Sequence, residues 1–128
     1  MDKFWLKSYP AGVPHDIDPD QYGSLTQLLE ESFRKNAARP FSVCMDEWMS
    51  YGQLDELSAA LGAWLQSRGL ERGARVEIML PNVPQFAVTM AAILRAGYTC
   101  VNVNPLYTAR ELEHQLRDSG ATAIVILE

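Results

Sequence analysis

From Arg75 onward the sequence repeats a single alternation, and that alternation limits the chain to very few folds. Three short apolar runs, Arg75–Leu80, Thr99–Val103 and Ala123–Leu127, are separated by the helix-patterned segments Pro84–Ala96 and Thr108–Ser119. The runs lack the polar–apolar alternation of a strand with one wet face, so both of their faces should be covered. Strand–helix–strand crossovers are right-handed and make the strands parallel. The predicted fold class is α/β, layered around a mostly parallel sheet (βαβαβ from Arg75 to Leu127), preceded by a helix, a short hairpin and a second helix.

The helix starts carry their own signal. Ser24 with Gln27, Ser50 with Gln53, Asn82 with Gln85, and Thr108 with Glu111 have the spacing at which a cap and the third helical residue satisfy each other's backbone N–H groups. In the first helix Leu25, Leu28, Leu29 and Phe33 fall on one face and Pro40 stops it. Phe41–Met45 and Trp48–Ser50 read as a hairpin turning at Asp46-Glu47, without the glycine that such turns favour. The second helix presents Leu54, Leu57, Leu61, Trp64 and Leu65 to one side, with Gly69 as its C-cap. Pro84–Ala96 is apolar almost all round, which predicts burial on more than one side. In the last helix Leu112 and Leu116 should face inward, Glu113 and Arg117 should pair outside, and Gly120 should cap.

Residues 1–22 read as an irregular N-terminal arm, with three prolines, Gly12 and four acidic residues. Phe4, Trp5 and Tyr9 are expected to anchor that arm to the body of the domain or to a second subunit. A shallow membrane-surface contact is the competing reading, and the missing basic amphipathic stripe speaks against it. The expected organisation is the arm 1–22 followed by 23–128 as the first part of a larger domain, because an apolar strand at Ala123–Leu127 is left with no helix to cover it. A net charge of −5, with eleven scattered basic residues, argues against a nucleic-acid partner. No signal-peptide pattern opens the chain, and the apolar runs are too short to cross a membrane. The expected location is cytoplasmic, with a peripheral contact at the inner membrane face left open.

Chemistry-bearing patterns are scarce. Cys44 and Cys100 sit in apolar strand contexts, as small buried hydrophobes in a reducing compartment do, and form no zinc spacing with His15 and His114. No glycine-rich phosphate motif follows any strand; the loops are Pro81-Asn82-Val83-Pro84 and Asn104-Pro105-Leu106-Tyr107, whose prolines remove N–H donors. Ser119 or Cys100 with His114 is the nearest approach to a nucleophile and base, but His114 belongs on a solvated helix face. Asp16, Asp18 and Asp20 alternate as calcium ligands can, yet the glycine and final glutamate of an EF-hand loop are missing.

Four segments carry a family resemblance. Met49–Leu54 resembles the first conserved box of the adenylate-forming synthetases, a short strand entering Tyr-x-x-Leu. Leu80-Pro81-Asn82 with the apolar helix behind it is similar to their next segment. Leu94–Tyr98 through Asn102–Pro105 is similar to their second box, an Arg-Ala-Gly turn into a strand ending at Asn-Pro. Pro105–Leu112 and the opening Trp5–Pro10 look most like the bacterial long-chain fatty acyl-CoA synthetases.

The resemblance implies a parent enzyme that activates a fatty acid with ATP and magnesium to an acyl-adenylate and passes the acyl group to coenzyme A. The family's phosphate loop, ribose-binding aspartate, hinge and C-terminal lysine lie downstream of anything present here. No catalytic, cofactor-binding or metal-binding residue is therefore carried over. The expectation is an N-terminal fragment, inactive alone, that supplies scaffold and has its arm available for a homodimer contact. A stand-alone binding or assembly domain descended from a synthetase is the alternative.

Overall fold

The computed structural model describes residues 3–127; Met1 and Asp2 of the expected arm, and Glu128, lie outside the described residues. The elements are α1 (Leu25–Asn36), β1 (Pro40–Cys44), β2 (Glu47–Ser50), α2 (Tyr51–Gln66), β3 (Arg75–Met79), α3 (Pro84–Arg95), β4 (Thr99–Asn102), α4 (Ala109–Ser119) and β5 (Ala123–Ile126). β1 and β2 form a two-stranded antiparallel hairpin, and β4-β3-β5 form a parallel sheet in that order. The expected α/β architecture is therefore present. The chain steps from β3 to one neighbour and then crosses back to the other, which places α3 and α4 on opposite faces.

Register separates those faces. Val76 pairs with Cys100 and Ala123, Ile78 with Asn102 and Val125, and the odd-numbered position between them, Glu77, with Val101 and Ile124. Val76 and Ile78 bury against Ile93 of α3, Leu65 of α2, and Leu80 and Tyr98. A second cluster joins Phe33, Leu54 and Ala91 of the three preceding helices. α2 and α3 approach closely at Gly62, where a Cβ would stand 3.2 Å from the Ala92 carbonyl oxygen. As expected, α3 is buried on several sides, with Thr89, Ala91, Ala92 and Ile93 all inaccessible.

Arg95 ties the helices together. Its Nη1 lies 2.8 Å from Asp55 Oδ1, from the Asp55 carbonyl oxygen and from Ser58 Oγ. Its Nε reaches Glu30 at 3.5 Å, and its guanidinium stands over the Phe33 ring.

The caps at Ser50–Gln53 and Thr108–Glu111 are complete and reciprocal. Gly120 closes α4 in the left-handed conformation, and Glu113 pairs with Arg117 at 2.6 Å. Other expectations are corrected. Ser24 accepts from the Gln27 N–H, but Gln27 Oε1 turns back to Gly23 N instead of Ser24 N, so that box is half closed. The proposed cap at Asn82 is absent: Pro84 is the first helical residue, it forces Val83 into the extended region, and Val83 takes the cap position with no side-chain bond.

The hairpin turns at Met45-Asp46, one residue earlier than read. Both residues have positive φ (50° and 65°), the primed geometry that matches the twist of the strands. Leu25 and Leu28 of α1, and Leu57 and Trp64 of α2, are exposed; the buried rows run through Leu29 and Phe33, and through Leu54, Ser58, Gly62 and Leu65. The C-cap of α2 is Ser67, and Gly69 follows in the left-handed turn.

In the arm, Phe4–Ser8 forms a short 3-10 turn. Phe4 packs edge-on against Trp5, Tyr9 against His15, and Lys3 pairs with Asp16 at 2.6 Å. Phe4, Trp5 and Tyr9 all stay exposed, and the aromatic pairs they make lie within the arm.

Candidate functional site

In open α/β sheets ligands gather beyond the carboxyl ends of the strands, where the chain's direction of winding reverses. Here that place lies between the ends of β3 and β5, beside the β3–α3 loop, with the β4–α4 loop one strand further along the same edge. The β3–α3 loop folds onto itself: Val83 N donates to the Pro81 carbonyl at 2.8 Å and Phe86 N to the Val83 carbonyl at 3.0 Å. In the β4–α4 loop the Asn104 side chain accepts from Leu106 N at 3.0 Å, and its carbonyl from Tyr107 N at 3.1 Å. Thr108 and Glu111 then consume each other's groups, with Glu111 Oε2 accepting from Thr108 N at 2.8 Å and Thr108 Oγ1 at 2.7 Å. These bonds, the backbone one first, hold the Glu111 carboxyl below its ordinary value. The backbone donors that could face a ligand are mostly spent inside the loops.

An open hollow of about 620 Å³ lies against the first turns of α4, walled by Tyr107, Thr108, Glu111 and His114. Its carboxylate is the one engaged in capping. The residues weighed as a nucleophile and base do not meet. Cys100 packs among the residues on the α3 face, where burial pushes its thiol up and away from the thiolate. His114 is exposed on α4, across the sheet. Ser119 points inward and donates to Glu77 Oε1 at 2.9 Å.

The three arm aspartates do not converge on a cation either. Asp16 is taken by Lys3, whose hydrogen bond lowers the carboxyl's affinity for protons, and Asp18 Oδ1 accepts from Asp20 N at 3.0 Å. Among the described residues no group of three or more His, Cys, Asp or Glu side chains could hold a metal ion. A nucleoside triphosphate with magnesium needs a cradle of free backbone N–H groups and a carboxylate facing it. The residues at this edge do not fit that group.

Glu77 is the residue that the sequence reading passed over. It is fully buried in the central strand, and its Oε2 has no hydrogen-bond partner among the described residues. The signal was available, since it is the single charged position inside the apolar run that follows Arg75.

Comparison with known proteins agrees with the boxes read from the sequence. Residues 29–128 match the AMP-binding enzyme family. A long-chain-fatty-acid–CoA ligase of Yersinia pestis is 52% identical over 99% of this chain, which spans 23% of that ligase. The ligase of the same name from Bacillus subtilis is 35% identical over 98% of the chain, again across 22% of its own length. Among solved structures, the N-terminal subdomain of Klebsiella oxytoca NpsA, in complex with anthranilyl-AMSN, superposes with a TM-score of 0.77 at 25% identity. That match covers 81% of this chain and 27% of that subdomain chain. The chain thus spans less than a quarter of the length of these ligases. The sheet order, the capped helices and the match through residue 128 lead to one conclusion: the chain belongs to the AMP-binding, adenylate-forming enzyme family.

Proposed function

We propose that this chain is the opening part, with arm 1–22 and the first part of the large domain at 23–128, of a long-chain fatty acid–CoA ligase. That enzyme would activate a fatty acid with ATP and magnesium and transfer the acyl group to coenzyme A. The observation that carries the reading is the 52% identity to ligases of that name, held across essentially the whole chain. In this reading the chain contributes scaffold. It folds β3, β4 and β5 into register, closes the two loops at their carboxyl edge, and leaves nucleotide, metal and acyl binding to residues outside it. The spent loop donors and the separation of Cys100, His114 and Ser119 support that division of labour.

The test has two arms. The complete gene product, given palmitate or oleate with ATP, magnesium and coenzyme A, should form the acyl-CoA thioester and AMP. Activity on aryl acids with none on fatty acids would overturn the substrate class. Residues 1–128 expressed alone should catalyse no fatty-acid-dependent ATP–pyrophosphate exchange. Robust exchange by that piece would place catalytic groups within it and overturn the scaffold reading.

A further inference from the structure

Glu77 lies at the centre of the sheet face that α4 covers, with Val101 and Ile124 beside it in register. A carboxyl group in such a place costs free energy for every oxygen left without a partner. Oε1 has one, the hydroxyl of Ser119 at 2.9 Å; Oε2 has none among the described residues.

Ser119 occupies the last turn of α4, and its single hydroxyl proton has two acceptors in reach. One is Glu77 Oε1; the other is the Leu116 carbonyl oxygen of its own helix, at 3.4 Å. A hydroxyl can donate to only one of them at a time. If α4 leaves the sheet, Ser119 keeps a partner inside the helix and Glu77 gains water for both oxygens.

The rest of the docking is slight. Among the described residues α4 has no fully buried residue, and its other polar tie to the sheet is Gln115 Nε2 to the Asn102 carbonyl at 3.0 Å, an exposed bond. Its apolar contribution comes from Leu112 and Leu116, both half-buried. α3 on the opposite face is held by four inaccessible residues.

We propose that Ser119 and Glu77 form a polar latch through which α4 docks on the sheet and lifts from it as a unit, while the α1–α2–α3 side stays packed. Locally opening elements are those with few buried apolar contacts and exposed hydrogen bonds, which is how α4 is built. The latch replaces apolar burial with one hydrogen bond that has an alternative on each side.

Hydrogen exchange on the complete gene product, followed through peptides covering 109–119 and 84–95, tests this. Ser119→Ala should speed exchange in α4 about tenfold, the loss expected when a buried carboxyl is left without its hydrogen-bond partner, and leave α3 unchanged. Glu77→Met replaces the dry carboxyl with an apolar chain of similar length. It should slow α4 exchange below wild type and cancel the effect of Ser119→Ala when the two are combined. Unchanged α4 exchange in Ser119→Ala, or faster α4 exchange in a folded Glu77→Met variant, would overturn the latch. Should Glu77→Met not accumulate as folded protein, the Ser119→Ala result decides, read over 109–119 and apart from Ala121, whose N–H also donates to Ser119 Oγ at 3.2 Å.

Discussion

On one face of the sheet Val76, Ile78, Cys100, Ala123 and Val125 meet Ile93, Leu65 and Tyr98; on the other Glu77, Val101 and Ile124 lie under a helix with no fully buried residue. The same three strands thus carry two different kinds of cover. On the α3 face, close packing comes from apolar side chains and from the approach of α2 to α3 at Gly62, and its bonds are collective. On the α4 face the attachment is made of separable parts: a cap, a latch, the bond from Gln115 to the Asn102 carbonyl and two half-buried leucines. β5 continues that contrast, with Val125 sharing the buried cluster and Ile126 more than half exposed. The central strand is covered on both faces, Val76 and Ile78 on one and Glu77 and Met79 on the other, but among the described residues only the α3 side is covered by a helix with fully buried residues of its own.

The sharpest way to break this comparison is to truncate one residue on each face. Ile93→Ala, at a position with no exposure, should cost about 3–4 kcal/mol, the cost of a cavity that close-packed neighbours cannot fill. Ile124→Ala, at a half-buried position, should cost about 1 kcal/mol by the area it hides. Denaturant midpoints of the two variants provide the comparison, and equal losses would refute the asymmetry.

Next in size is Arg95→Met. It removes the bonds to Asp55 and Ser58, yet Ser58 Oγ still donates to the Asp55 carbonyl and the Asp55 carboxyl is part exposed and can rehydrate. The expected loss is therefore about 2 kcal/mol, below that for a fully buried pair. It should appear as weakened protection in α1 and α2, with α4 unaffected.

The sequence disclosed what local chemistry decides. The parallel order follows from apolar runs joined by helices, and the complete boxes at Ser50 and Thr108 follow from their spacing. It misled where two local rules compete. Asn82 had the spacing of a cap, but Pro84 fixed the helix start, and the constraint on the residue before proline outweighed a side-chain hydrogen bond. Asp46-Glu47 looked like the turn, whereas the pairing of Cys44 with Glu47 leaves Met45 and Asp46 as the central residues. Leu57 and Trp64 share the helical spacing of the inward residues yet lie outside, because spacing gives a stripe but not which edge of it touches a neighbour; contact with α3 through Gly62 selects the row through Ser58. At the candidate site, the absence of a glycine-rich loop was legible. The latch was not, since the meeting of Glu77 with Ser119 depends on how α4 lies across the sheet.

The smaller predictions concern the α4 side, where each part should fail separately. Thr108→Ala removes an N-cap and should cost about 1 kcal/mol, seen as faster exchange in the first turns of α4 and little elsewhere. Acid should act on the same cap from the other partner. The Glu111 carboxyl is held below its ordinary value of 4.5 by the Thr108 N–H and hydroxyl, so its charged form is favoured in the folded chain. A depressed folded value gives a stabilisation that is fully present above the unfolded value and is lost as the pH falls through 4.5 and on through the lower folded value. The α4 amides, corrected for intrinsic exchange, should therefore lose protection in acid in the wild type. Glu111→Gln keeps an oxygen acceptor without a charge to titrate, and should flatten that dependence relative to wild type while preserving the helix at neutral pH. If the variant's α4 loses protection on acidification as steeply as the wild type's, the acid sensitivity of this face comes from a group other than its cap.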